Sequence, residues 1–251
     1  MSNIDNELIV KAAEYIYRAK NLIVFTGAGM SADSGIPTFR GEDGLWNRYR
    51  PEDLATLDAF LSDPVKVWRW YLWRISRLKS VKPHKGYNVL SRWYRIGILK
   101  YVITQNVDGL FIESGIDKVI ELHGNILRAR CTSCRYSSPI DKLDKSSLPI
   151  ICPRCYGLMR PDVVWFGEPL NPSILDKAYQ LARESDVMLV IGTSGVVYPA
   201  AYIPYIAKES GSKVIEINVE ESMITEISDI FIGLRAAEAL TYIDKYLSRY
   251  R

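Results

Sequence analysis

The chain has 251 residues, of which 48% are hydrophobic and 24% are charged, so it can bury the core of one large domain, alone or with a small lobe. Its formal net charge of +3, from 32 basic and 29 acidic residues, is too small for a dedicated nucleic-acid binder. No secretory signal is visible, and no apolar run reaches the roughly 20 residues of a membrane helix. We therefore expect a cytoplasmic protein without a membrane partner.

The apolar pattern predicts an alternation of helices and strands. A helix over 8–19 precedes a short apolar strand over 22–25. Similar runs predict strands over 100–104, 119–122, 187–191, 214–217 and 229–232, and helical spacing covers 87–95, 173–184, 200–208 and 236–248. Continuously apolar strands that alternate with helices are typical of parallel sheets, so we expect an α/β fold with a doubly wound, mostly parallel, Rossmann-like sheet.

Two segments interrupt this alternation and predict a smaller lobe. Segment 39–81 has helical spacing and holds four of the 6 tryptophans, and segment 128–160 holds all 4 cysteines. We expect the Rossmann-like domain to comprise 1–38, 82–127 and 161–251. The small lobe then combines a helical insertion over 39–81 with a zinc ribbon over 128–160.

The cysteines form two C-x-x-C pairs separated by 17 residues, a spacing that predicts a zinc site with the ligands Cys131, Cys134, Cys152 and Cys155. Four thiolates close a tetrahedral shell, so the zinc is structural rather than catalytic. Two redox pairs are the alternative, but neither pair lies at a strand-to-helix turn as in the thioredoxin motif. Four arginines surround the ribbon and predict a solvated basic rim, or a weak chromatin-facing patch: Arg128, Arg130, Arg135 and Arg154.

A glycine-rich turn follows the first predicted strand. Gly27, Gly29 and Ala32 match G-x-G-x-x-G/A between a strand and a helix, where backbone N–H groups bind a pyrophosphate. A tight turn also needs glycine for conformational reasons alone. No second strand ends in an acid about 20 residues later, since Asp43 and Asp53 fall in the helical insertion, and this disfavours a hydride-transferring dehydrogenase.

The chain has only 2 histidines. His84 follows Pro83 in a polar turn and is expected to be a solvated loop residue. His123 ends an apolar strand, and strand ends are where ligands bind in open α/β sheets. Position alone leaves a structural and a functional role for His123 equally open.

Five blocks of sequence, at 27–40, 105–109, 122–124, 192–200 and 218–220, resemble the signatures of the sirtuin family and follow that family's order. The resemblance covers about 22–238. One departure is Leu-Arg-Ala-Ala-Glu at 234–238, where the family often has Gly-Lys-Ala-Gly-Glu. The resemblance implies an NAD-dependent protein-lysine deacylase that removes acetyl, and also succinyl or malonyl, groups.

Sirtuins cleave the nicotinamide–ribose bond of NAD and transfer the acyl group to ADP-ribose, releasing nicotinamide, O-acyl-ADP-ribose and free lysine. The substrate amide oxygen attacks the ribose, and a histidine then activates a ribose hydroxyl. The resemblance therefore makes His123 the base and Asn106 its catalytic neighbour. Histidine suits this task because its pKa lies near working pH.

The resemblance also assigns the residues that bind NAD. These are Gly27, Ala28, Gly29, Ser31, Asp33, Phe39, Arg40, Trp46, Gln105, Asn106, Val107, Asp108, Gly192, Thr193, Ser194, Asn218, Val219, Glu220 and Ala236. Asp33 and Arg40 are expected on a mobile loop that closes over the cofactor, and Arg40 suits bidentate phosphate binding. The alternative for Asn106 or Asp108 is a cap on the next helix, and for Arg40 an ordinary surface arginine.

The acyl-lysine substrate is expected to pair as an added strand with the segment Val163, Val164, Trp165, Phe166, Gly167 and Glu168, with Val197 beside it. An apolar linker between the lobes is the alternative for this segment. Tyr71 and Arg74 resemble a Tyr-x-x-Arg pair of one sirtuin class, which recognises the carboxylate of succinyl- or malonyl-lysine. Spacing alone favours a helix with inward aromatics and a solvated arginine.

Two other functions remain open at this stage. Mono-ADP-ribosyl transfer would use the same NAD site, and a non-catalytic zinc-ribbon chromatin protein would need no His123. The modest net charge disfavours the second. We expect acyl-lysine proteins, chromatin proteins among them, as partners of a monomer without strong nucleic-acid binding.

Overall fold

The computed structural model describes residues 3–39 and 44–250. Its strands are β1 (Leu22–Thr26), β2 (Leu99–Thr104), β3 (Val119–Glu121), β4 (Gly124–Cys131), β5 (Ser137–Pro139), β6 (Met159–Val163), β7 (Val187–Ile191), β8 (Lys213–Ile217) and β9 (Ile230–Ile232). Its helices are α1 (Asn3–Arg18), α2 (Gly29–Ala32), α3 (Pro51–Leu54), α4 (Leu57–Ser62), α5 (Pro64–Leu78), α6 (Lys85–Arg95), α7 (Leu110–Glu113), α8 (Pro172–Glu184), α9 (Tyr202–Glu209) and α10 (Ala236–Leu247).

The large lobe is a six-stranded sheet in the order β3-β2-β1-β7-β8-β9, and every neighbouring pair is parallel. This is the doubly wound order of a Rossmann-like sheet, so the predicted fold class is confirmed. The chain reverses its winding direction between β1 and β7. Ligands bind in the crevice that such a reversal opens beyond the carboxyl ends of the strands.

Helices cover both faces of this sheet, which explains why its central strands are continuously apolar. Alternate residues of β1 point to opposite faces. Leu22 shares a core with Ile9 of α1 and Leu240 of α10, whereas Phe25 shares the opposite core with Ala178 of α8. Every residue of β1 and β7 is buried as a result.

The small lobe contains the three-stranded sheet β5-β4-β6, which is antiparallel, and the helices α3 to α5. Trp68 of α5 and Met159 of β6 belong to one core, and the Trp68 indole donates a hydrogen bond of 2.8 Å to the Met159 carbonyl. The two predicted insertions therefore fold together. Strand β4 begins at Gly124, directly after His123, so the sheet of the small lobe starts beside the predicted base.

Element bounds differ from the predictions mainly at helix ends. Helix α1 begins at Asn3 and not at residue 8, because polar residues form its first turn before the apolar period starts. Helix α9 begins at Tyr202, because a turn occupies the preceding residues. Within the two described ranges, no helix combines the length and the apolar character that crossing a membrane requires.

Candidate active site

A cleft of about 1260 Å³ lies between the lobes, beyond the carboxyl ends of β1, β7 and β8. It brings together most of the predicted NAD-binding residues: Gly27, Ala28, Gly29, Asp33, Phe39, Trp46, Gln105, Asn106, Val107, Gly192, Thr193, Ser194, Asn218, Val219, Glu220 and Ala236. His123 and all the predicted substrate residues also line it. Ser31 and Asp108 do not line the cleft, and Arg40 lies outside the described residues.

The floor of the cleft is a backbone-to-backbone contact between the loops that follow β1 and β7. A Cβ on Gly27 would lie 2.7 Å from the Gly192 carbonyl oxygen, and one on Gly29 would lie 2.7 Å from the Gly192 Cα. The Gly29 N–H donates to the same carbonyl at 2.9 Å. Packing therefore requires these glycines whether or not a nucleotide is bound, and the loop that they form lines the cleft.

His123 is held by its Nδ1 atom, which lies 3.0 Å from the Gln105 carbonyl oxygen. A carbonyl oxygen can only accept, so Nδ1 carries the proton and Nε2 of the neutral ring is a free acceptor. Burial lowers the pKa of His123, and the Gln105 carbonyl opposes this shift only in part. The imidazole is therefore neutral at pH 7, the form that a general base needs.

Asn106 is fixed by both of its amide hydrogens. Its Nδ2 donates to the Gly27 carbonyl at 2.9 Å and to Ser31 Oγ at 3.0 Å. The Oδ1 atom is left as an acceptor on a side chain that lines the cleft. Ser31 is buried behind Asn106 and orients its amide, and a direct contact between Ser31 and NAD stays a prediction.

A buried network lies behind Asn106. Ser31 Oγ donates to Asp108 Oδ2 at 2.7 Å and lies 2.8 Å from the Tyr87 hydroxyl, which donates to it in turn. Burial raises the pKa of Asp108, whose Oδ1 accepts from the N–H of Leu110 at the start of α7. Asp108 therefore plays the alternative role considered from the sequence, in which its carboxylate satisfies a free N–H of the next helix. Sequence reasoning missed Tyr87, which has no distinguishing motif.

Three strand ends are joined across the floor by side-chain amides. Gln105, after β2, donates from Nε2 to Thr193 Oγ1 at 3.0 Å. Asn218, after β8, donates from Nδ2 to the Thr193 carbonyl at 3.0 Å. These bonds hold predicted binding residues from distant parts of the sequence in one polar surface.

Asp33 ties the segment after α2 to the first turn of α10. Its Oδ2 accepts from the Ala237 N–H at 2.9 Å, and its Oδ1 pairs with Arg235 at 3.3 Å. A carboxylate at a helix N-terminus satisfies a free N–H and interacts favourably with the helix dipole. Asp33 was expected on a mobile loop, but here both of its oxygens are bonded. Arg235 was not predicted, although it replaces the family's usual lysine.

His84 is not the solvated loop residue that the polar turn suggested. Its ring caps α6, with Nδ1 accepting from the Gly86 N–H at 3.0 Å and Nε2 donating to the Met30 carbonyl at 2.7 Å. The side chain is half-buried under α2. The helix was predicted over 87–95, and because it begins two residues earlier, at Lys85, His84 becomes its cap.

An aromatic wall on the small-lobe side surrounds Arg74. The guanidinium carbon lies 4.9 Å from the centre of the Trp70 ring, 5.3 Å from Phe39 and 5.8 Å from Tyr71. Within the described part of the chain, no carboxylate lies within 4 Å of it. Burial raises the pKa of Tyr71, whose hydroxyl accepts from the Trp165 indole at 2.9 Å and keeps its proton for donation.

The segment predicted to receive the substrate backbone is anchored along one edge. The Val164 N–H donates to the His123 carbonyl at 2.9 Å, and the Phe166 N–H donates to the Ala55 carbonyl at 2.9 Å. Glu168 is bound to the buried Arg160 at 2.5 Å and accepts from the Trp165 N–H. Glu168 thus shapes the segment from inside, and Arg160 is a supporting residue that sequence reasoning missed.

The four cysteine sulfurs converge, with every pair within 4.8 Å. Cys131 and Cys155 sulfurs lie 3.4 Å apart, and those of Cys134 and Cys152 lie 3.7 Å apart. Zinc–sulfur bonds of about 2.3 Å in a tetrahedron place sulfurs about 3.8 Å apart. Backbone N–H groups of residues 133 and 134 also point at the Cys131 sulfur, which stabilises a thiolate. The residues fit a closed structural zinc site, remote from the cleft lining.

The basic rim of the ribbon is partly neutralised. Arg128 pairs with Glu121 at 2.8 Å and with Asp162 at 3.2 Å, and Arg130 lies 3.6 Å from Asp162. Two of the four arginines are therefore matched by carboxylates. This pairing weakens the interpretation of the rim as a nucleic-acid surface.

Comparison with known proteins decides the family. The Sir2 family model matches residues 27–199. The chain belongs to the Sir2 family. It is 55% identical over 239 residues to the NAD-dependent protein deacylase of Pyrococcus abyssi (strain GE5 / Orsay), with 93% of this chain and 95% of that protein covered.

Solved Sir2 structures support the same conclusion. A Sir2 homologue mutant in complex with ADP-ribose superimposes with a TM-score of 0.93 at 43% identity, covering 100% of this chain and 98% of that one. A Sir2 homologue–NAD complex gives a TM-score of 0.89 at 46% identity, with 96% and 94% covered. The sirtuin resemblance is thereby confirmed, and neither the dehydrogenase nor the non-catalytic chromatin protein is favoured.

Proposed function

We propose that this Sir2 protein removes acyl groups from protein lysines, consumes NAD in doing so, and uses His123 as its general base. The relatives named NAD-dependent protein deacylase support the reaction class. The observation that carries the residue assignment is the bond between His123 Nδ1 and the Gln105 carbonyl, which leaves Nε2 unprotonated in the cleft. One water is consumed, and the products are nicotinamide, O-acyl-ADP-ribose and the free lysine.

When bound, NAD supplies the electrophilic ribose carbon that the acyl oxygen attacks as nicotinamide leaves. His123 Nε2 accepts the proton of a ribose hydroxyl, while Gln105 keeps the ring oriented through Nδ1. Asn106 presents Oδ1 to the same ribose, because its amide hydrogens are committed to Gly27 and Ser31. The loss of one ring bond or one amide bond would therefore misalign the base or its neighbour.

The cleft offers a distinct set of groups to each part of NAD. The backbone of Gly27 to Gly29 lines the cleft and, together with Ser194, suits the pyrophosphate. Asn218, Val219 and Glu220 suit the adenosine ribose, with the backbone of Ala236 beside the adenine. The binding role of Arg40 stays a prediction.

A product assay tests this function. The protein is incubated with NAD and matched acetyl-, succinyl- and butyryl-lysine peptides, and the products are followed by mass. We expect NAD-dependent release of free lysine peptide and one nicotinamide per acyl group removed. ADP-ribose attached to protein without loss of the acyl group would instead indicate mono-ADP-ribosyl transfer, and absence of any product would contradict the proposal.

The pKa of His123 predicts how the activity falls on the acidic side of its pH profile. Only the neutral ring can accept a proton, so activity falls as pH drops through the pKa of His123, which burial places below its usual 6.5. We expect kcat/KM for NAD, with acetyl peptide saturating, to stay flat from pH 8 to about 6.5 and to fall below that pH. A midpoint above pH 7 would show that another group controls this fall.

We further propose that Tyr71 and Arg74 recognise the carboxylate of a succinyl or malonyl group. Arg74 lines the cleft with no carboxylate within 4 Å among the described residues, and only the more distant Asp108 carboxylate interacts with its charge. The Tyr71 hydroxyl keeps a proton to donate. The aromatic rings hold the guanidinium in place, so little freedom is lost when an acid binds. This arrangement favours an acidic acyl chain without excluding an acetyl group.

Tyr71→Phe and Arg74→Met should each lower kcat/KM for the succinyl peptide by about 10- to 100-fold, as expected for a lost hydrogen bond to a charged group. The acetyl peptide is the matched control and should change by less than about 3-fold, because it lacks the carboxylate. Melting temperatures of both variants separate a folding defect from a binding defect. Equal losses with both peptides would contradict the assignment.

A further inference from the structure

Glu216 is a fully buried acid near the carboxyl end of β8, and within the described ranges no lysine, arginine or histidine pairs with it. It is flanked in the sheet by Val190 and Phe231. Burying a carboxyl group is costly unless hydrogen bonds replace those it made to water. The hydrogen bonds that offset this cost therefore show which part of the structure Glu216 holds in place.

Its partners all come from the segment 218–225, the first part of the connection between β8 and β9. Ser222 Oγ donates to Oε1 at 2.5 Å, and Thr225 Oγ1 donates to Oε2 at 2.6 Å. Asn218 Nδ2 lies 3.5 Å from Oε1. Both carboxyl oxygens are thus used to hold one loop.

Each of the two hydroxyls also receives a backbone N–H of the same segment. Ser222 Oγ accepts from Ile224 at 3.0 Å, and Thr225 Oγ1 accepts from Ser222 at 2.9 Å. A hydroxyl has one hydrogen to donate, and here it goes to Glu216. The acid therefore orients both hydroxyls, and through them it sets the turn of the backbone.

The upper surface of this segment is open to the cleft. Six of its residues line the cleft: Asn218, Val219, Glu220, Glu221, Ser222 and Met223. Val219 is 61% exposed and Met223 is 51% exposed, so apolar packing contributes little to holding them. Ile224 is the apolar anchor of the segment, with no exposed surface. Glu216 holds the segment from beneath.

We propose that Glu216 is a positioning residue for NAD, which preforms the 218–225 segment to receive the adenosine end of the co-substrate. The inference rests on the proposed function, which places the adenosine ribose at Asn218 to Glu220. Without Glu216 the segment must be ordered when NAD binds, and that ordering reduces affinity. Chemistry is unaffected, because His123 and Asn106 follow other strands, β3 and β2.

The test uses Glu216→Gln, which keeps the size of the side chain but leaves one carbonyl oxygen to accept both hydroxyls, and Thr225→Val, which removes one donor. We expect the calorimetric Kd for ADP-ribose and the KM for NAD to rise about tenfold in each, equivalent to about 1.4 kcal/mol. The kcat and the KM for the acyl peptide should stay within about twofold. If Glu216→Gln does not fold, Thr225→Val still measures the predicted loss of affinity.

Ser212→Ala is the matched control, because Ser212 is a buried hydroxyl 2.5 Å from Ser185 Oγ at the opposite end of β8. It should lower the melting temperature without changing the Kd for ADP-ribose. An unchanged Kd in folded Glu216→Gln or Thr225→Val, or an equal loss in Ser212→Ala, would overturn the proposal. A wild-type protein that binds ADP-ribose but removes no acyl group contradicts only the proposed deacylation. A wild-type protein that binds no ADP-ribose contradicts both.

Discussion

Replacement of His123 by alanine is expected to lower kcat for NAD-dependent deacylation by about 100- to 10,000-fold, the usual contribution of a positioned general base. The ring is the one neutral imidazole that lines the cleft within the described residues, since the other histidine is committed to Met30 and Gly86. Kinetics with acetyl-lysine peptide and saturating NAD measure the loss.

Two controls separate lost chemistry from lost structure. The His123→Ala protein should bind ADP-ribose with the wild-type Kd and should retain one zinc per chain, because neither the glycine floor nor the cysteines contact the imidazole through a described hydrogen bond. Full activity in this variant would refute the assignment of the base.

Replacement of Cys152 by serine is expected to release the zinc, unfold the small lobe and abolish deacylation. Structural zinc contributes about 10–16 kcal/mol, whereas whole domains are stable by about 5–15 kcal/mol. Cys152 is fully buried and shares a core with Trp68 and Trp165, and Trp165 lines the cleft. The loss of the zinc should therefore reach the acyl-lysine side of the active site through packing.

Zinc content by atomic emission and near-ultraviolet circular dichroism measure this outcome, since the small lobe is rich in tryptophan. Ser133→Ala is the matched control: residue 133 lies between two ligands but offers the zinc site only its backbone N–H. That variant should keep its zinc and its activity. A Cys152→Ser protein that retained activity after losing zinc would contradict the structural role.

Local patterns were sufficient to predict the elements of the large lobe. The strand predicted over 187–191 agrees with β7, because a continuously apolar run is stable only where both faces of the strand are covered. The zinc ligands were equally readable, since four cysteines at ribbon spacing share one chemistry. The sequence predicted a doubly wound parallel sheet but not the strand order β3-β2-β1-β7-β8-β9, because strand order depends on how helices pack and not on any one strand.

The supporting residues of the active site could not be predicted in the same way. Asp33 accepts a hydrogen bond from Ala237, 204 residues along the chain, and Asn106 is oriented by Ser31, 75 residues away. No periodicity reports such a pairing. The sequence shows that His84 and Glu216 are present, but it likewise does not show which groups they bond to.

The amino-acid sequence alone thus predicted the strands of the large sheet and the zinc ligands, because each depends on a local pattern of burial or on chemistry that few residue types can perform. His123 became the candidate base only through the resemblance to the sirtuins. Tertiary structure alone decided which atom of His123 is free, which acids face the cleft and which support it from behind. The reason is physical: a hydrogen bond depends on the distance and direction between two groups, and for groups on different loops only the packed sheet sets these.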